Sequence, residues 1–372
     1  MNFDFSQDEK MVRDQVARFL SDQCSSKTVR SVLEGNAAYA TEVWDGLVSM
    51  GLTGTAIPEN YGGVGAGYLS LCLVAEQLGA FLAPTPFSSS VYLATEALML
   101  FGSDAQKDHW LPKLAAGETI GTLAVVETVA QTTAETIELR FSAGQLTGKK
   151  LIVADGGVSD FAIVLARNSA GGLGLYLCDL QAGGVVKTAV DTVDPSRNST
   201  SLEFNGCPAE LLGTEADGWA QLATVYDRAA VLFAFEQLGG AQSALNMAVD
   251  YAKQRFAFGR PIGSFQGLKH MMADMYVALK LAESNCYYAA WALSTNSPDL
   301  PLAAATARVS ATQAFQLCAR DNIQVHGGMG FTWEFDCHLY YRRSNYLTLQ
   351  LGGLTEWEDK LVSSLANGEA AA

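Results

Sequence analysis

Two short stretches of this chain combine residue types suited to an anionic, aromatic ligand. The first is Arg255-Phe256-Ala257-Phe258-Gly259-Arg260-Pro261-Ile262-Gly263-Ser264-Phe265-Gln266, where a long helical pattern ends at a glycine and a proline. Two guanidinium groups are left beside an exposed aromatic; Arg offers paired donors to phosphate, and Phe offers a stacking face. The same stretch also reads as a basic helix C-terminus complementing the helix dipole. The second is Gln324-Val325-His326-Gly327-Gly328-Met329-Gly330-Phe331. Its glycines permit close backbone approach to a ligand, and Gln324 can address an amide or a pyrophosphate. A plain turn between helices also accounts for it, with His326 as a hydrogen-bonded turn residue rather than a base. The spacing is not GxGxxG after a strand, so a Rossmann dinucleotide site is not indicated.

The remaining composition narrows the chemistry. Seven cysteines (24, 72, 178, 207, 286, 318, 337) form no CxxC pair, and the four histidines make no HxxxH or HExxH pattern. The cysteines read as reduced, buried thiols of a cytoplasmic protein, and no metal site is expected. Lys and Arg number 24 against 39 Asp and Glu, a net charge of −15. So acidic a surface repels nucleic acid and anionic lipid, leaving any anionic ligand to a few local cations or helix N-termini. Apolar residues make up 49% of the 372 positions and charged residues 17%, which excludes a disordered chain. The N-terminal MNFDFSQDEK is acidic without an apolar stretch, so neither signal nor transit peptide is expected. No apolar run approaches the roughly 18 residues of a spanning helix.

Three zones must position these residues. The pattern is helical from Phe5 to about Glu118, opening on the capping box Ser6-Gln7-Asp8-Glu9, with Val12, Val16, Phe19 and Leu20 on one face. From about Thr119 to Gly213 the period is two: Ile137, Leu139 and Phe141 alternate with polar residues. Short runs at Phe161 to Leu165, Leu173 to Cys178 and Leu202 to Phe204 complete an expected antiparallel sheet or small barrel. From about Trp219 the pattern is helical again, with Leu268, Met271, Met272, Met275 and Leu279 as an apolar stripe. The expected architecture is mostly α with a central β-domain, divided at 1–118, 119–214 and 215–372.

The whole chain resembles an acyl-CoA dehydrogenase. The resemblance is carried by Pro58-Glu59-Asn60-Tyr61-Gly62-Gly63, Trp110-Leu111-Pro112-Lys113-Leu114-Ala115-Ala116-Gly117-Glu118, and Arg255-x-x-Phe258-Gly259-x-Pro261-Ile262 with Phe265-Gln266. It continues through Gln324-x-x-Gly327-Gly328-x-Gly330-Phe331-Thr332 and Tyr341-Arg342. It implies an N-terminal helical domain, a middle β-domain and a C-terminal four-helix bundle. It also implies FAD held between subunits of a tetramer built as a dimer of dimers. By the resemblance, Arg255 and Gln266 reach the FAD of a neighbouring subunit, Phe258 packs on it, and Gln324, Gly327 and Gly328 meet its ADP part. The reaction implied is α,β-dehydrogenation of an acyl-CoA thioester, as in fatty-acid or steroid degradation, with an electron-transfer flavoprotein as acceptor. A carboxylate removes the α-proton while the β-hydrogen leaves as hydride.

The chain departs from that pattern at the base. One family position, nine residues past the arginine corresponding to Arg342, holds Leu351 in Leu351-Gly352-Gly353. The other, before Gly239-Gly240, falls on Ala229, with Ala230 where an arginine often meets substrate. Asp227 is the nearest carboxylate, though it points about 200° around the helix from 229. Glu334 reads as a structural ion-pair residue and Glu236 as a core carboxylate with a partner. Beside the flavin, Val126-Glu127-Thr128 stands for Thr-Glu-Pro, and Ala154 replaces a hydroxyl residue. The expected function is therefore FAD-dependent acyl-CoA dehydrogenation, by a catalytic chain with a displaced base or by one chain of a heteromeric bacterial dehydrogenase. The alternative is a non-catalytic FAD- or acyl-CoA-binding partner or scaffold.

Overall fold

The computed structural model describes residues 5–371. Met1 to Asp4 of the N-terminal reading therefore lie outside the described residues, as does Ala372. The chain divides into two compact units. One comprises Thr28–Gly67 and Pro84–Ala229; the other Met1–Lys27, Tyr68–Ala83 and Ala230–Ala372.

The first unit is built on an eight-stranded sheet. Its strands are β1 (Gly121–Ala124), β2 (Arg140–Ser142), β3 (Gln145–Ala154), β4 (Phe161–Arg167), β5 (Leu173–Asp179), β6 (Val185–Ala189), β7 (Ser199–Pro208) and β8 (Glu210–Leu212). Their order is β6-β7-β3-β2-β4-β5-β8, with β1 joined to β4. The expected alternation at Ile137, Leu139 and Phe141 holds in burial, although the ladder begins only at Arg140. The sheet is mixed rather than purely antiparallel, because β1 and β2 both pair parallel to β4. β4 is buried on both faces except at its last residue, which is why it reads as an unbroken apolar run. One face joins Leu146, Val153, Tyr176, Leu202 and Phe204; on the other, Trp110 lies 4.4 Å from Phe161, ring to ring. The same unit holds α2 (Ser26–Leu33) beyond Lys27, α3 (Thr41–Ser49), α5 (Glu96–Phe101) and α6 (Asp104–Ala115). It also contains a π-helical segment, Ser88–Thr95, in which every residue is buried.

The second unit contains α1 (Gln7–Gln23), α4 (Gly67–Ala80), most of α7 (Gly218–Gln254), α8 (Gln266–Ser294), α9 (Leu300–His326), α10 (Cys337–Thr348) and α11 (Leu354–Ala371). The capping box is formed: Glu9 N–H donates to Ser6 Oγ at 3.2 Å, and Ser6 N–H to Glu9 Oε2 at 2.6 Å. Of the expected stripe on α8, Met275 and Leu279 are buried and Leu268, Met271 and Met272 half-buried. α4 and α7 cross with their backbones touching. A Cβ on Gly79 would stand 1.8 Å from Glu236 O, and one on Gly239 would stand 1.8 Å from Glu76 O. Only glycine allows that approach.

At this crossing Glu76 is half-buried, and burial pushes its carboxyl up to about 7, with Glu283 adding to the shift and Arg13 and Lys280 opposing it. Between the ordinary carboxylate range and pH 7, the folded chain therefore holds a proton that the unfolded chain has lost. Folding stability attributable to Glu76 is fully present below that range and falls as pH rises to about 7. We expect Glu76→Gln to remove about 2 kcal/mol of that decline, read from urea midpoints at acid and neutral pH. An identical decline in both proteins would refute this assignment. Among the described residues no helix is long and apolar enough to cross a membrane. Nor, among them, does any group of three or more His, Cys, Asp or Glu stand placed to hold a metal ion.

Candidate functional site

The helical pattern that ends near Arg255 continues into a small hairpin, β9 (Phe256–Ala257) and β10 (Arg260–Pro261). Its two tip residues, Phe258 and Gly259, both have positive φ, +53° and +79°. That is the backbone of a type I′ turn, a conformation that a bulky residue such as Phe258 seldom adopts. The ring is 95% exposed and meets Phe265 edge-on at 6.2 Å. The Arg260 guanidinium lies over the Phe265 ring at 4.1 Å. Ile262 N–H donates to Arg255 O at 2.8 Å, closing the hairpin base. α8 starts immediately afterwards at Gln266 with no side-chain cap. Arg255, Arg260 and Gln266 are all exposed. Two exposed guanidinium groups and the ring of Phe258 thus belong to the hairpin that leads into an uncapped helix N-terminus, a combination of groups chemically suited to an anion.

The glycine turn follows α9. Gly327 adopts φ +60°, ψ −137°, a region essentially reserved for glycine. A Cβ on Gly327 or Gly328 would meet nothing within 4 Å, so the backbone there is open to approach. Gln324 is exposed, whereas His326 is buried. The His326 Nδ1–H donates to Asn322 O at 2.8 Å, and the ring stacks on Tyr251 at 4.0 Å. Burial lowers its pKa, so it stays neutral and structural, as the sequence reading has it. Tyr251 stands one helical turn before Arg255. The stack therefore joins the end of α7 to the end of α9.

The strand positions expected to face a flavin belong to the other unit. Glu127 is fully committed: it pairs with Lys150 Nζ at 2.6 Å and accepts from the N–H of Glu138 and Leu139 at 2.7 and 3.1 Å. Lys150 also donates to Val125 O at 2.9 Å, and burial brings its ammonium down to about 8 against the opposing pull of Glu127. Val126, Thr128 and Ala154 are half-buried. Behind Ala154, Asp155 is buried at φ +55° and accepts from Arg197 Nη2 at 3.0 Å and Ser89 Oγ at 2.6 Å. Arg197 in turn donates to Ser88 Oγ at 2.6 Å, which ties this turn to the π-helical segment.

Neither base position offers a carboxylate. Ala229 and Ala230 are fully buried on α7, and Asp227 is buried at 7% exposure. Arg228, next to it, forms a buried ion pair with Glu96 of α5. Leu351 sits at φ +63° between α10 and α11. Its turn is held by groups other than its own side chain. Arg308 Nη2 donates to Leu347 O and, at 2.8 Å, to Gln350 O, while Trp357 Nε1 donates to Leu351 O at 3.2 Å. Glu356 accepts from Gly353 N–H at 3.1 Å. Arg308 Nη1 donates to Gln237 Oε1 at 2.6 Å, so the brace reaches back to α7. Glu236 is buried with Arg343 Nη1 at 3.9 Å, the partner expected for it, and Glu334 is exposed. Sequence reasoning missed the Glu96–Arg228 pair. Its signal was a lone carboxylate inside the apolar run Tyr92 to Phe101, a residue type seldom buried without a partner.

The chain matches the model of the acyl-CoA dehydrogenase N-terminal domain over residues 6–118 and that of the C-terminal domain over 216–358. It is 32% identical over 341 residues to the acyl-CoA dehydrogenase IpdE2 of Mycobacterium tuberculosis, covering 91% of each chain. Among solved structures, it is similar to a chain of the ChsE4–ChsE5 complex from Mycobacterium tuberculosis, with TM-score 0.89 and 27% identity, covering 98% of this chain and 99% of that one. It is equally similar to butyryl-CoA dehydrogenase from Megasphaera elsdenii, with TM-score 0.89 and 26% identity over 98% and 100% of the two chains.

Proposed function

This chain belongs to the acyl-CoA dehydrogenase family, and from that premise we propose that it is one chain of a heteromeric acyl-CoA dehydrogenase, completing a site whose base its partner supplies. FAD is the cofactor, and when bound it supplies the two-electron acceptor. One observation carries the reading: the residues suited to FAD face outward, while both base positions are apolar. Arg255, Phe258, Gln266 and Gln324 are exposed, yet Ala229 and Leu351 stand where a carboxylate is required. The exposed cations, the uncapped start of α8 and the open Gly327-Gly328 backbone fit the diphosphate and adenine end of FAD. Those residues bind and orient the cofactor's polar end. The strand side fits less well, since Val126 and Ala154 offer no hydroxyl. The resemblance to the ChsE4–ChsE5 complex supports a two-chain assembly. On the same reading the assembly is a dimer of dimers that passes electrons to an electron-transfer flavoprotein.

The second reading, a homomeric enzyme using Asp227 as base, rests on Asp227 being a buried carboxylate on α7. The absorbance spectrum and flavin-to-protein ratio of the chain expressed alone separate the two. We expect a pale protein that becomes yellow and active only when co-expressed with its partner chain, with Asp227→Asn leaving the assembly's kcat within about twofold. About one FAD per isolated chain, bleached by an acyl-CoA and no longer bleached in Asp227→Asn, would establish the second reading instead.

A further inference from the structure

Cys178 and Cys207 are 29 residues apart in sequence, yet their Sγ atoms lie 2.9 Å apart. Both side chains are fully buried in the core of the sheet. Cys178 pairs with Ala162 across β5 and β4, and Cys207 with Leu146 across β7 and β3; β5 and β7 share no ladder. A bulge turns the second thiol toward the first. The β3–β7 register slips between Leu146 and Thr147, and Gly206 opposite the slip has φ +74°. Bulges re-aim the side chains beside them. The next residues in sequence, Asp179 and Pro208, are exposed, so the thiols lie one residue beneath the surface at the rim of the sheet.

We propose that Cys178 and Cys207 are a redox-responsive pair that a small hydroperoxide converts reversibly into a disulfide joining β5 to β7. The Cys207 sulfur attacks the O–O bond; an S–O bond forms, the peroxide bond breaks, and the other oxygen leaves as an alcohol or water. The Cys178 sulfur then attacks the resulting sulfenic acid, forming S–S and releasing water. Two thiols and one hydroperoxide thus give one disulfide, one alcohol or water from the peroxide and one further water. The sulfurs lose the two electrons that the peroxide gains. Either sulfur can donate in the hydrogen bond between the thiols; the order of events follows from burial, which raises the Cys178 thiol the more strongly and leaves Cys207 the readier to ionise. Burial raises both, so the reaction is slow at neutral pH and faster in alkali. The ring so closed contains Arg197, the partner of Asp155, and Ser199, which pairs with Ala154. Oxidation therefore tightens the strand that backs the Ala154-Asp155 turn.

The test exposes the fully reduced, full-length chain to hydrogen peroxide, then denatures it in an alkylating reagent and maps the cysteines by mass spectrometry. The expected result is two fewer alkylated thiols than the seven of the reduced chain, a Cys178–Cys207 cross-linked peptide, and a Tm raised by about 5 °C that dithiothreitol reverses. In Cys178→Ser, dimedone should trap a sulfenic acid on Cys207; in Cys207→Ser, Cys178 should remain a thiol. Seven alkylated thiols at a peroxide dose that oxidises the exposed Met11 would overturn the proposal. So would a cross-link between any other two cysteines. Wild-type mapping decides the matter even where a serine variant does not fold.

Discussion

Replacing Arg255 with alanine in the assembled enzyme should weaken FAD retention about 10- to 100-fold, the loss expected when a charged group gives up its hydrogen bonds to an anion. The guanidinium is exposed, and the local fold does not depend on it. The residue's structural contribution is its backbone, whose N–H donates to Tyr251 O and whose carbonyl accepts from Ile262 N–H, and both survive a change to alanine. Stability should therefore stay within about 0.5 kcal/mol of wild type. Arg255→Lys should restore only part of the affinity, since an ammonium is a point charge without the paired donors of a guanidinium. Flavin-to-protein ratios after dilution and filtration give the readout, with kcat at saturating FAD as control. Unchanged retention would remove Arg255 from the cofactor surface.

Glu96→Gln should destabilise the sheet-bearing unit by about 3–5 kcal/mol, the usual cost of breaking a buried ion pair by removing one of its two charges. Side-chain exposure is 1% for Glu96 and 8% for Arg228, so water cannot substitute for the lost carboxylate. The effect belongs to the broken pair rather than to the volume of the side chains. A double replacement, Glu96→Leu with Arg228→Met, should recover most of the loss because both desolvation costs disappear together. Urea unfolding of the three proteins would show it as a lowered midpoint for the single variant and a near-normal one for the double. Equal midpoints for wild type and Glu96→Gln would mean the pair contributes nothing to stability.

Local rules made much of the fold legible. The capping box at Ser6, the helical and two-residue periodicities, and the buried partner of Glu236 all depend on near neighbours or on the cost of an unpaired buried charge. Sheet direction was not legible, because alternation records which face is buried and says nothing about parallel or antiparallel pairing. Gly121 meets Phe161, forty positions further along the chain. The π-helical segment was invisible for a similar reason. Ser88-Ser89-Ser90 looks like a polar loop until Arg197 and Asp155 arrive from distant strands to satisfy it. At the candidate site, the composition of the Arg255 and Gln324 stretches pointed to anion contacts; both side chains are exposed, and which ligand they meet is the matter of the Arg255 test above. The hairpin closing the first stretch was not foreseen, because a phenylalanine at positive φ runs against the usual turn chemistry. The Glu96–Arg228 pair joins residues 132 positions apart, a separation that no local pattern encodes.

The brace under Leu351 bears on what such a turn can carry. Arg308, Trp357 and Glu356 grip the turn by its carbonyls and one N–H, so the hydrogen bonds that hold it do not depend on the side chain at its apex, while the φ of +63° there limits the choice to residues that tolerate the left-handed region. A residue exchanged at the apex therefore meets the same hydrogen-bonded frame, and the chemistry carried there can change without the turn being rebuilt. The mounting outlives its tool.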